Sequence, residues 1–268
     1  MSKPLVFLTM PRYSAQVDAR AHRAFLAATR GEVRVDFGTE GIGGSPVESQ
    51  TSVLTQAFNQ PWVMALNLRR THPVAGFAML HADVEPEYGW LDPLWAERCR
   101  LGADILSVVI PFKLPNGRTS TALGNPDWPA DAVDPAEKPR RLTMHEVSRL
   151  PKSFRARDID PSKFLMVNTG CWVCDFSKPW VEQIVFRFHN RNYQDGAGLW
   201  HTACRTEDFD LSLQTHRLGL SVWATTCVRA IHHGDCAYPN FETWGDETDQ
   251  EYAAHIRANS ANVAVKPG

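Results

Sequence analysis

Short apolar runs alternate with stretches of helical spacing over the first part of the chain. Leu5 to Thr9 is an apolar run that ends in Pro11-Arg12-Tyr13-Ser14, which predicts a buried strand opening into a loop. Residues 16 to 29 place Val17, Ala21, Ala24, Phe25 and Ala28 at helical spacing, with Gly31 as a stop. Residues 33 to 37 alternate as a second strand, and the glycine-rich 38 to 45 reads as a loop. It has neither the Lys-Ser/Thr of a P-loop nor the spacing of a dinucleotide fingerprint. Helices follow over 47 to 59 and 62 to 70, with Pro61 at or near the first turn of the second. Val74 to Leu80 is almost continuously apolar, as a strand buried on both faces should be, and it delivers His81-Ala82-Asp83 at its end. A helix over 91 to 101 and a strand over 103 to 110 complete a βα alternation that argues for a layered α/β sheet.

The pattern then changes. Eight of the eighteen prolines fall between Pro111 and Pro161 and predict an insertion or loop region with little regular structure. Residues 164 to 175 resume as a strand containing Asn168-Thr169-Gly170 and Cys171-Trp172-Val173-Cys174, and residues 179 to 188 read as an amphipathic helix. Thr206 is a good N-cap and Gly219 a natural C-terminal stop, so 207 to 218 predicts a helix with Glu207 and Asp208 in its first turn. A short strand near Val222-Trp223 and another from Cys227 to Ile231, ending on His232-His233-Gly234, precede a polar, acidic tail.

Composition narrows this picture. With 268 residues, 43% of them hydrophobic, the chain can bury a large core, and a net charge of -2 supplies no global attraction to nucleic acid or anionic membrane. Between residues 138 and 163, however, Lys138, Arg140, Arg141, Arg149, Lys152, Arg155, Arg157 and Lys163 outnumber Glu146, Asp158 and Asp160. That stretch is either a solvated surface or an anion-facing patch. The N-terminal apolar run is too short for a signal peptide, and no run of about twenty apolar residues could span a membrane, so the expected location is cytoplasmic. Six scattered cysteines fit reduced thiols, and Cys171 and Cys174 lack a second pair to complete a zinc site. Nine tryptophans is a high count, and some are expected to line a cleft while most belong to the core.

Several motifs, in order, carry a resemblance. His81-x-Asp83 at a strand end is similar to the acidic metal motif, usually Asp-x-Asp, of nucleotide-sugar-dependent glycosyltransferases with the GT-A fold. Val84-Glu85-Pro86 with Leu91-Asp92 resembles the usual continuation, and residues 102 to 107 resemble the strand that follows it. Asn168-Thr169-Gly170 stands where a small-residue acceptor strand belongs, Thr206-Glu207-Asp208 matches the Thr-Glu-Asp motif of inverting members similar to family 2, and His232-x-Gly234 resembles their late metal-binding histidine. The resemblance covers about residues 3 to 236, with gaps.

It implies an α/β fold, a GT-A-like (Rossmann-like) three-layer α/β/α sandwich with a mixed, mostly parallel central sheet. Residues 1–240 would form one catalytic domain: a nucleotide-sugar-binding half to 110, a proline-rich basic insertion over 111–163, and an acceptor and catalytic half over 164–240. Residues 241–268 would be a tail. The implied activity is sugar transfer from a nucleoside-diphosphate sugar to an acceptor hydroxyl, with inversion. Asp208 would be the catalytic base and Glu207 would orient the acceptor or the base. Thr9, Pro11, Tyr13, His81 and Asp83 would bind the donor, Asp83, His232 and His81 would hold Mn²⁺ or Mg²⁺, and Gly170 and Trp172 would face the acceptor.

These residue types suit the chemistry on independent grounds. A departing diphosphate gains charge that a divalent ion on a carboxylate stabilises, and the attacking hydroxyl must lose a proton to a base. The chain departs from the family pattern at His81, which removes one negative charge; a ligating histidine must be neutral, so metal affinity would fall at acid pH. Two other readings compete: a nucleotidyltransferase, against which stands the missing Arg/Lys-bearing glycine-rich loop, and a non-catalytic nucleotide-sugar-binding protein, which His81 favours. The acceptor, whether saccharide, lipid-linked sugar or a modified base in DNA, is open, as is the oligomeric state.

Overall fold

The computed structural model describes residues 3–11, 17–37, 54–128 and 139–245. Tyr13, the glycine-rich loop, the first part of the helix expected from 47 and the tail beyond 245 lie outside the described residues. The first half of the chain forms β1 (Leu5–Thr9), α1 (Ala19–Leu26), β2 (Arg34–Asp36), α2 (Leu54–Arg69), β3 (Val74–Leu80), β4 (Val84–Pro86), α3 (Leu91–Leu101) and β5 (Ile105–Val108). Next come β6 (Arg118–Gly124), β7 (Arg140–Thr143), α4 (Met144–Val147), β8 (Ser153–Phe154), β9 (Phe164–Met166) and β10 (Cys171–Asp175). The rest is β11 (His189–Gln194), β12 (Trp200–Arg205), α5 (Glu207–Arg217), β13 (Val222–Thr225), β14 (Ala230–His233) and β15 (Ala237–Pro239).

Seven strands make a central sheet in the order β2-β1-β3-β10-β5-β13-β8. Only β10 and β8 run against the others, so the sheet is mixed and mostly parallel. Alternate residues of one strand point to opposite faces, and the core divides accordingly. Leu5, Phe7, Phe77 and Met79 pack with Phe58 and Trp62 of α2 and Leu211 of α5, whereas Val6, Leu8, Ala78 and Leu80 pack with Phe25 of α1 and Leu94 and Trp95 of α3. Gly76 of β3 exists to admit Trp95: a Cβ there would lie 2.3 Å from the indole. Asp92, buried at the start of α3, accepts hydrogen bonds from Thr29 and from the backbone of Arg30 and Val33, tying α1 and β2 to α3.

Several expectations are corrected. Pro61 is buried inside one continuous helix rather than starting a new one, and Phe58, Trp62 and Ala65 on either side of it bury the same face. Residues 179 to 188 are a 3-10 turn (Pro179–Gln183) and then extended chain, because buried Ile184 and Phe186 alternate with exposed neighbours at the period of a strand. The described parts of the proline-rich segment are folded: β8 joins the central sheet, and β6 and β7 form a second sheet with β9 in the order β7-β6-β9. Much of its positive charge is committed within the fold, since Arg140 pairs with Glu146, Arg141 donates to the Ser120 carbonyl and covers Phe112, and Arg155 covers Trp223. The run read from Cys227 becomes β14, which leaves the central sheet and pairs with β4 and β15. Asn240, at the edge of the expected tail, is buried and donates to the carbonyls of Val109 and Val228, pinning β14 beside the end of β5. No helix among the described residues is long and apolar enough to cross a membrane.

Candidate active site

The C-terminal ends of parallel strands are where open α/β sheets bind ligands, and the motif residues gather there. β3 ends at Leu80, and the next residue is fixed by its backbone: the His81 amide donates to the Gly170 carbonyl at 2.8 Å. Gly170 enters β10 from a tight bend in which the Asn168 side chain accepts from the Gly170 amide at 2.9 Å and donates to the Val108 carbonyl at 2.7 Å. A Cβ on Gly170 would sit 3.1 Å from that same Asn168 oxygen, so the bend requires a small residue. The His81 ring packs edge-on to Phe58 at 5.5 Å, with Nε2 3.4 Å from the Thr169 hydroxyl. Desolvation lowers its pKa to about 4 against the opposing pull of Asp83.

The acidic helix α5 begins beside this bend. Thr206 does not cap it in the expected way: its hydroxyl donates to the Asp208 carboxylate, which also accepts from the Phe209 amide at 2.7 Å. Glu207 is 8% exposed and lies beside Thr169. Burial, and then the neighbouring Asp208 charge, raise its pKa to about 7. Asp208 is half-buried and close enough to His81 to act on its titration. The helix start is held from below by a buried ion pair, Arg205 to Asp210 at 2.9 Å, with His189 at 3.3 Å from the same oxygen.

On the other side of His81 lies Asp83. One of its oxygens is 2.6 Å from the Lys113 ammonium and 3.4 Å from His232 Nε2. Burial alone would raise the Asp83 pKa, but hydrogen bonds and charge from His232, His81 and Lys113 hold it well below the usual carboxylate range. His232 Nδ1 donates to the Pro111 carbonyl at 2.8 Å. A carbonyl cannot donate, so Nδ1 carries a proton; Nε2 then donates to Asp83 in the charged ring and offers its lone pair to a metal in the neutral one. Histidine metal ligands are oriented in this way by a backbone carbonyl, and the Asp83–His232 pair therefore fits a divalent ion that takes its other ligands from substrate and water. No group of three or more His, Cys, Asp or Glu side chains among the described residues is arranged to hold one without such help. His233 is turned away, donating to Glu85 at 2.7 Å.

The remaining expected site residues divide. Thr9 and Pro11 stand at the end of β1 but are buried, and the Thr9 hydroxyl makes no hydrogen bond among the described residues. Trp172, expected to face the acceptor, is 1% exposed and stacks on Trp62 at 6.1 Å under the sheet. Its place in β10 points it inward, so it supports the site from below. Cys171 and Cys174 are buried on opposite faces of β10, as residues three apart in a strand must be, and desolvation raises both thiol pKa values. They are core residues. Two positions escaped the sequence reading: Lys113, hidden in the proline-rich stretch two residues after Pro111, and Asn240 in the supposed tail. A lysine just beyond a buried strand end was the available signal for the first, and nothing local marked the second.

No protein-family model matches the chain, and no curated protein does. Among solved structures it is similar to A197 from STIV, at 12% identity and a TM-score of 0.48, over 91% of this chain and 95% of that one. It is also similar to the uridine diphosphate N-acetylglucosamine pyrophosphorylase from Trypanosoma brucei, at 13% identity and a TM-score of 0.30, over 60% of this chain and 31% of that one. At these scores neither likeness assigns a family or an activity.

Proposed function

We propose that the protein transfers a sugar from a nucleoside-diphosphate sugar to an acceptor hydroxyl, with inversion, on a GT-A-like three-layer α/β/α fold. One observation carries this reading: residues 81 to 83, 168 to 170, 207 to 208 and 232, far apart in sequence, meet at one end of the sheet, linked through the His81–Thr169 contact, the approach of Glu207 to Thr169 and the Asp83–His232 pair. The acceptor oxygen forms a bond to the anomeric carbon as the bond from that carbon to the β-phosphate oxygen breaks. The acceptor proton goes to the Asp208 carboxylate, and the electron pair leaves on the nucleoside diphosphate. Glu207, largely protonated below pH 7, holds Thr169 and keeps a second negative charge away from the base. Asp83 and His232 would hold Mn²⁺ or Mg²⁺, which supplies charge stabilisation to the departing diphosphate when bound.

The test is to incubate the protein with a panel of nucleoside-diphosphate sugars and Mn²⁺, and to measure nucleoside diphosphate release for wild type and Asp208→Asn. Release that depends on Asp208 is the expected result. Formation of pyrophosphate from a nucleoside triphosphate and a sugar phosphate would replace this reading with nucleotidyl transfer. Saturable nucleotide-sugar binding with no turnover on any acceptor class would replace it with a binding role.

A further inference from the structure

Lys113 belongs to no motif, yet it touches the carboxylate at the centre of the site. Its stem is led there by the fold. The preceding Pro111 is fixed by the His232 ring and by a bridge to Thr119, and the Phe112 amide donates to the Arg118 carbonyl at 2.8 Å. Gly234 then gives the stem room: a Cβ at that position would lie 2.8 Å from Lys113 Cδ and 3.2 Å from Cγ. The glycine of His232-x-Gly234 is thus where the lysine passes.

The same Asp83 oxygen faces both the ammonium, at 2.6 Å, and His232 Nε2, at 3.4 Å. A divalent ion held by Asp83 and His232 would compete with the ammonium for the negative charge of that oxygen. The stem restricts where a displaced ammonium can go, and it stays at the mouth of the site with its charge unpaired. A diphosphate is the anion that the proposed reaction brings to that place.

We propose that Lys113 is a counter-ion that changes partners: it neutralises Asp83 in the free protein and passes to the diphosphate of the donor when a divalent ion takes Asp83. This rests on the nucleotide-sugar reading above. It makes Lys113 a competitor of metal in the free protein and a substrate contact in the loaded one. The exchange also keeps Asp83 from standing as a half-buried, unpaired charge between turnovers, a state that costs stability.

The two roles have opposite signs, which a merely structural lysine would not show. Lys113→Met keeps the apolar stem and removes the charge. Calorimetry should show Mn²⁺ alone binding this variant several-fold more tightly than wild type, and magnesium pyrophosphate binding it about tenfold more weakly or worse. Gly234→Ala keeps the charge but crowds the stem, and should move both affinities in the same directions by less; thermal melts of both variants establish that they are folded. Unchanged pyrophosphate affinity, or loss of both affinities together in a folded Lys113→Met protein, overturns the proposal and leaves the sugar-transfer reading standing. A wild-type protein that binds neither Mn²⁺ nor magnesium pyrophosphate overturns both.

Discussion

Glu207 and Asp208 are adjacent acids with different surroundings, and the difference assigns their work. Asp208 keeps its place at the open side of the helix start, whereas Glu207 is buried against Thr169. Under the proposed sugar transfer, in which Asp208 is the base, Asp208→Asn should lower turnover about 10²–10⁴-fold while leaving donor binding nearly unchanged by calorimetry. Glu207 makes a pH-dependent contribution of the opposite kind. The folded protein retains a proton on it up to about pH 7, whereas the unfolded chain releases that proton near 4.5, so this stabilising share is present at low pH and is lost as pH rises through 7. Glu207→Gln has no such loss. Relative to wild type, it should gain on the order of 2 kcal/mol between pH 5 and pH 8 in urea denaturation; a difference that stays constant with pH would contradict the assignment. The Thr-Glu-Asp triplet was legible in the sequence, but the inequality of its two acids was not, because desolvation depends on which residue the helix turns toward Thr169.

At the scale of elements, α5 is positioned by what lies under it. The β11–β12 hairpin runs straight into the helix, and its last residue, Arg205, is buried against Asp210, which also accepts from Gln214 at 2.7 Å. Asp210→Ala would remove the carboxylate that neutralises the buried Arg205 guanidinium, so it should destabilise the protein by about 3–5 kcal/mol in urea denaturation. A loss under 1 kcal/mol would mean that Arg205 finds solvent and that the pair does not hold the helix. The hairpin left no apolar period in the sequence, since β11 is polar and largely exposed, and only Asp195-Gly196 marks its turn. Helix α3 was read to the residue because Gly102, with φ of 60°, ends it by local chemistry alone. The segment after Pro179 failed for the converse reason: its apolar residues fit both a helix and a strand period until packing against α2 chose one, with the Phe186 amide and carbonyl both bonded to Asn59.

For the whole molecule, the charge pattern of the sequence overstates what the surface offers. Among the described basic residues between 138 and 163, Arg140, Arg141 and Arg155 are engaged within the fold and Lys163 is half-buried, while Arg149, Lys152 and Arg157 are exposed. About three phosphates could be neutralised there, so log K for duplex DNA should fall against log salt with a slope no steeper than about 3, as measured by fluorescence anisotropy between 50 and 200 mM salt. A steeper slope would reopen a nucleic-acid acceptor. The chain by itself determined the strands that are buried on both faces, the helices closed by local stop signals, and the residue types of the candidate site, because each of these is written in a period or a short motif. Tertiary structure decided what no period encodes: that β10 runs antiparallel between β3 and β5, that Trp172 faces the core, and that Lys113 reaches Asp83 past Gly234 from a segment that reads as loop. Those contacts join residues far apart in sequence, and only burial and close approach in the folded chain select them.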